Sequence, residues 1–133
     1  MTLDTMTAKD LMTTKVVKAS PEETLRTAIV RMDEHGIHGL LVDPPGPNRG
    51  HCILTGKDCI EVLCDAGEEA LDVLCVEDAM TRPAFTLPAE LGIPDCIRLM
   101  RHTGVRMAPV LEGTSVIGIL TYTDVPRSCA HQA

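Results

Sequence analysis

Two short motifs hold the residues of this chain best suited to chemistry. Thr55-Gly-Lys-Asp58 and Thr121-Tyr-Thr-Asp124 each set a threonine three residues before an aspartate. Where such a motif joins a strand to a helix, the threonine ends the strand and the aspartate lies one turn into the helix. Both then face one cleft. A carboxylate in that place accepts hydrogen bonds from the two vicinal hydroxyls of a ribose. The threonine hydroxyl and the first helical amides suit a phosphate. Thr and Asp also cap helices, so one such motif alone is as much a structural feature as a site. No Ser-His-Asp order, paired-carboxylate motif or glycine-rich phosphate loop is present. No nucleophile therefore has a base beside it, and the chain is expected to bind and not to catalyse.

The motifs belong to an internal repeat. Asp10-Leu-Met-Thr13 returns as Asp78-Ala-Met-Thr81, and Met32 and Gly36 return at the same spacing as Met100 and Gly104. Ile53-Leu-Thr55 returns as Ile119-Leu-Thr121 after a slightly shorter interval. The lost residues fall where the first copy has the Pro/Gly-rich stretch from Asp43 to Gly50, and loops absorb such changes.

Each copy has its own elements to position the motif. In the first, Lys15 to Ala19 predicts a strand. Ser20-Pro21-Glu22-Glu23 predicts a helix start with Ser20 as cap and Glu23 closing a capping box. Leu25, Ala28, Ile29 and Met32 follow at helical spacing, and His35-Gly36 ends the helix. Ile37 to Val42 and Cys52 to Thr55 predict strands. Asp58 to Cys64 predicts a helix with Ile60, Leu63 and Cys64 inward. The second copy repeats the order: strand Ala84 to Leu87, helix Leu91 to His102, strands Val105 to Leu111 and Ser115 to Leu120, and a short terminal helix. The leucines and valine of the connecting stretch Asp65 to Cys75 are expected to cover core. A unit of about 60 residues buries little alone, so two units are expected to pack together.

Composition narrows the classes. The 133 residues are 44% hydrophobic, which excludes a disordered chain. A net charge of -7 argues against broad nucleic-acid binding, and the scarcity of aromatic residues (2%) argues against base-stacking platforms. No apolar run is long enough for a membrane span, and the first ten residues lack a signal-peptide core. Cys52, Cys59, Cys64, Cys75, Cys96 and Cys129 form no C-x-x-C pair. They are expected to be free, mostly buried thiols of a cytoplasmic protein. A metal or thiol redox sensor using Cys59 and Cys64 near His51 is the minor alternative.

In order, these motifs resemble a tandem pair of CBS (cystathionine β-synthase) domains, a Bateman module. The marks are Asp-x-Met-Thr, the glycine turn into the second strand, and Thr-x-x-Asp, each present in both halves. The resemblance implies an α+β fold of two βαββα repeats packed sheet to sheet as one pseudo-twofold module. Repeat 1 spans 7–65, a linker 66–77 and repeat 2 78–128. It also implies a regulatory sensor of AMP, ADP, ATP or S-adenosylmethionine that requires no cofactor. Such a sensor dimerises through its helices and acts on a separate, unidentified protein. Each ligand cleft would mix the two copies. One would draw on Thr121, Thr123 and Asp124 with Thr13, Lys18, His38, Gly39 and Leu40. The other would draw on Thr55, Lys57 and Asp58 with Thr81, Thr86, Arg106, Met107 and Ala108. The aspartates would hold ribose, while His38, Arg106 and Lys57 would face phosphates. Backbone near Lys18 and Thr86 would read the adenine edge. The first copy has Cys52 where the second has Gly118, and a side chain there is expected to obstruct close backbone approach. The Thr121/Asp124 cleft is therefore expected to be the better site. An assembly module with vestigial clefts is the other alternative.

Overall fold

The computed structural model describes residues 2–44 and 50–126. Residues 45–49, Cys129 and all but the first turn of the expected terminal helix lie outside the described residues. The fold is α+β, with two three-stranded sheets and helices. Contacts divide the chain into a mid-chain unit, Val17–Ala84, and a split unit formed by Met1–Val16 with Phe85–Ala133.

In the mid-chain unit the strands are β1 (Lys18–Ala19), β2 (Gly39–Val42) and β3 (Cys52–Thr55), in that spatial order. β1 and β2 are parallel, so a crossover is required, and helix α2 (Leu25–His35) supplies it. β2 and β3 are antiparallel, with Leu40 opposite Leu54. All four β2 residues are buried, as a strand covered on both faces demands. Leu25, Ala28 and Met32 of α2 join Leu40, Val42, Leu54 and Cys59 in one apolar core.

α2 starts later than the sequence suggests. Thr24 is the N-cap, and its Oγ1 accepts from the Thr27 amide at 3.3 Å. Ser20 to Glu23 form a turn instead, closed by the Glu23 amide on the Ser20 carbonyl at 3.2 Å. Glu23 is taken by Arg31, which donates to both of its carboxylate oxygens at 2.7 and 2.9 Å, so it closes no box with Ser20. The expected end is found. Gly36 adopts φ 62, a left-handed conformation that glycine takes without steric cost.

Helix α3 (Gly56–Ala66) follows β3 without a break. Its faces are the reverse of the expected ones. Cys59 is buried and Val62 packs on the core, whereas Ile60 (59% exposed), Leu63 and Cys64 face outward. Thr55 caps this helix and Asp58 is folded back on that cap, which sets the helical phase. The connecting stretch is also only partly as expected. Leu71 is buried and Leu74 packs on the core, but Val73 is 77% exposed. The stretch is tied down by Arg26 on Asp72, at 2.6 Å, and by the Leu25 amide on the Leu74 carbonyl at 3.0 Å.

The split unit repeats the plan with β4 (Leu87–Pro88), α5 (Ile93–Thr103), β5 (Met107–Glu112) and β6 (Ser115–Thr121). Pro94 sits in the first turn of α5, where its missing N–H costs nothing. The opening motifs form the short helices α1 (Ala8–Leu11) and α4 (Val76–Ala79). Asp10 and Asp78 are structural there, accepting from the Thr7 and Cys75 amides at 2.9 and 2.8 Å.

The two opening segments are exchanged relative to the sequence repeat. Thr13, from the first copy, pairs with Ile119 of β6, and both backbone bonds are 2.9 Å. Thr81, from the second copy, pairs with Ile53 of β3 at 2.8 and 3.2 Å. At Gly118 an added Cβ would lie 2.5 Å from the Met12 sulfur and 2.7 Å from the Thr13 carbonyl oxygen. Gly118→Ala is therefore expected to cost about 1–3 kcal/mol in urea unfolding. It should also speed amide exchange at Thr13 and Ile119 more than elsewhere.

Candidate functional site

The clearest polar cluster is in the mid-chain unit, at the β3–α3 junction. The Thr55 amide donates to Asp58 Oδ2 at 2.9 Å, and Thr55 Oγ1 accepts from the Asp58 amide at 3.3 Å. Thr81 Oγ1 donates to Asp58 Oδ1 and Oδ2 at 3.2 and 3.3 Å. The pairing of Thr81 with Ile53 places that hydroxyl, so the sheet and the cluster depend on each other. Asp58 is half-buried, Thr81 is exposed, and Lys57 projects from the first turn of α3 into solvent. The Gly56 amide donates to the His38 carbonyl at 2.9 Å, and Gly39 lies opposite Thr55 in the ladder. Lys57, His38, Gly39 and Leu40 thus belong to the same unit as Thr55, Asp58 and Thr81.

The split unit repeats the backbone frame. Met107 lies opposite Thr121, and the Tyr122 amide donates to the Arg106 carbonyl at 2.8 Å. Thr13 pairs with Ile119, two residues before Thr121. Thr13, Thr86, Arg106, Met107, Ala108, Thr121, Thr123 and Asp124 all belong to this unit. Each residue set expected from the sequence is therefore divided between the units. What each unit joins is the opening motif of one copy with the Thr-x-x-Asp motif of the other.

Cys52 does not obstruct close approach. It is fully buried in the mid-chain core, and Thr81 still exchanges both backbone bonds with Ile53 beside it. The side chain at 52 fills core space, whereas the space beside Gly118 is filled by Met12. Lys18 also has partners that the sequence did not suggest. Its carbonyl accepts from Arg31 Nη1 at 3.0 Å, and its ammonium lies 3.7 Å from Asp43. Arg31, held by Glu23 with its guanidinium pKa raised by that bond, was missed because neither residue recurs in the second copy.

The cysteines are placed by burial. Cys59 and Cys96 are in the cores, and burial pushes each thiol up to about 11. Burial also raises the Cys52 thiol, opposed by the Arg82 charge. Cys59 and Cys64 share α3, but five residues turn a helix by roughly 140°. One faces the core and the other solvent, so a single ion would not be shared between them. Among the described residues, no three His, Cys, Asp or Glu side chains gather as metal ligands. None of the described helices is long and apolar enough to cross a membrane.

The family model described as CBS domain matches residues 8–65 and again 76–130. The chain belongs to the CBS domain family. CBS pairs as a class bind adenosyl ligands in regulatory roles, and proteins built only of CBS domains are typically non-catalytic. Hypoxic response protein 1 of Mycobacterium tuberculosis is 29% identical over 127 residues, spanning 96% of this chain and 87% of the relative. Other curated relatives are longer, and the chain spans 56% of one from Methanopyrus kandleri. A hexameric CBS-CP12 protein from bloom-forming cyanobacteria superposes with a TM-score of 0.84 at 28% identity, covering 92% of this chain and 67% of that one. A CBS domain pair in complex with 5′-methylthioadenosine and S-adenosyl-L-methionine superposes with a TM-score of 0.80 at 19% identity. That match covers 96% of this chain and 98% of the other, and shows the shared fold.

Thiol labelling checks the cysteine placement. Iodoacetamide at neutral pH is expected to modify exposed Cys64 rapidly. Cys59 and Cys96 should react only near pH 11 or after unfolding, because burial disfavours their thiolates. Peptide mass mapping reads both, and fast labelling of Cys59 in the folded chain would contradict its placement.

Proposed function

We propose that this CBS pair is a regulatory sensor that binds an adenine nucleotide or related adenosyl ligand and acts on a separate protein. One observation carries the proposal: the Thr55–Asp58 corner presents a carboxylate and a hydroxyl at the start of a helix, beside exposed Lys57. In this reading Asp58 and Asp124 accept from ribose hydroxyls. Thr55 and Thr121 touch phosphate or ribose through their hydroxyls. Lys57, His38 and Arg106 add positive charge, with Thr123 beside Asp124. Family membership supports the ligand class, and so does the related fold that holds adenosyl compounds. The ligand is a regulatory input, and the chain requires no cofactor.

The same reading makes the protein a cytoplasmic homodimer assembled through its helices. Buried free thiols suit a reducing compartment. Ile60, Leu63 and Leu99 leave apolar surface on α3 and α5, and the cyanobacterial CBS-CP12 relative is an oligomer. An assembly role with vestigial clefts rests on those same apolar residues and is separated by the ligand experiment.

AMP, ADP, ATP and S-adenosylmethionine are each expected to be tested by thermal shift. At least one should raise the melting temperature by several degrees, because a ligand at about 100 times its Kd stabilises the folded state by roughly 2.7 kcal/mol. Asp58→Asn and Asp124→Asn keep a capping oxygen but lose the carboxylate charge, so both substitutions together should abolish the shift. A folded protein that responds to none of the four would sink the sensing proposal. Sedimentation should give twice the 14.4 kDa chain mass, and a monomer would refute the dimer.

A further inference from the structure

We infer that Thr81 is an internal placeholder on the ribose carboxylate, holding the mid-chain grip closed until a diol displaces it. The inference rests on the sensing proposal above and adds a regulatory element to the same grip. The Thr81 hydroxyl donates to both oxygens of Asp58, at 3.2 and 3.3 Å, and carries a single proton to share between them. Oδ2 also accepts from the Thr55 amide at 2.9 Å. A carboxylate offers about four acceptor positions, two on each oxygen. The Thr55 amide uses one of them, and the Thr81 hydroxyl, nearly equidistant from the two oxygens, lies along the edge that joins them. That edge is where the two hydroxyls of a ribose would bind, one to each oxygen.

The placeholder is the same chemical group as the ligand it imitates. A single incoming hydroxyl would only replace one O–H donor by another. A vicinal diol brings two donors, one for each oxygen, and so replaces a shared bond by two full ones. Thr81 is exposed, so its hydroxyl can swing away by a change of χ1 while the backbone bonds to Ile53 hold. Release of Thr81 frees a side chain of the segment that leads from α4 toward Arg82 and Pro83. Occupancy of the grip is thereby coupled to the surface of that segment. Asp58 is the only carboxylate among the described residues to which the Thr81 hydroxyl donates.

Calorimetric titration in an Asp124→Asn background isolates this grip. The probes are AMP and S-adenosylmethionine, which carry the diol, and 2′,3′-dideoxyadenosine monophosphate, which does not. Thr81→Val keeps the branched shape and removes the hydroxyl, and should tighten the diol probes by roughly two- to tenfold. Thr81→Ser should bind as the native residue does, and the dideoxy probe should gain nothing. Unchanged or weaker diol binding in Thr81→Val would overturn the placeholder, as would an equal gain for the dideoxy probe. If neither diol probe binds with Thr81 or with either substitution, the placeholder fails, and the sensing proposal fails with it only if the chain with Asp124 intact also binds neither probe. Circular dichroism melting confirms that both variants are folded.

Discussion

The pairing of an opening segment with the outer edge of a sheet is the constraint on which the rest of the structure depends. β3 and β6 each have a neighbouring strand on one side. On the other side Ile53 and Ile119 would leave an N–H and a C=O unpaired. Thr81 and Thr13 supply those partners. Edge backbone groups must find hydrogen bonds, so the chain is directed to return to each sheet. In the mid-chain unit this return also brings the Thr81 hydroxyl onto Asp58. One backbone pairing therefore completes the sheet and sets the geometry of the candidate site.

A second consequence is that neither sequence copy is a complete structural unit. Met6 and Ala8 are buried in the core of the split unit, while Leu71, Val76 and Met80 are buried in the core of the mid-chain unit. A fragment cut at the boundary of the repeat would lose apolar core as well as an edge partner. Small units of this size have little burial to spare, so the exchanged segments are part of what makes each fold stable.

Asp58 shows how structure and candidate function share one side chain. Its return to the Thr55 amide fixes where α3 begins, and that phase turns Cys59 and Val62 toward the core. The sequence allowed two phases for this helix, because Ile60, Leu63 and Cys64 also form an apolar stripe. Hydrophobicity alone favours the stripe. The cap decides against it, since a helix that starts at Gly56 immediately after β3 cannot be rotated without breaking the Thr55–Asp58 bonds. A similar local decision moved the start of α2 from Ser20 to Thr24. Glu23 had two potential partners, and a bidentate bond to Arg31 outweighs one to a single backbone amide.

By itself the sequence determined the repeat, the order of strands and helices, the glycine end of α2 and the Thr-x-x-Asp chemistry. These follow from local spacing, and local spacing fixes side-chain direction within an element. Tertiary structure supplied the contacts that bring Thr13 to the Thr121 motif and Thr81 to the Thr55 motif, pairs that the family resemblance set together but local spacing does not, because the edge groups are far apart in sequence. It decided that Cys52 lies in core space instead of blocking Thr81, because a side chain obstructs only if its neighbours leave it no other room. It also decided that Asp58 already holds a hydroxyl. The motif shows that a carboxylate is present, but only the fold brings Thr81 across to it.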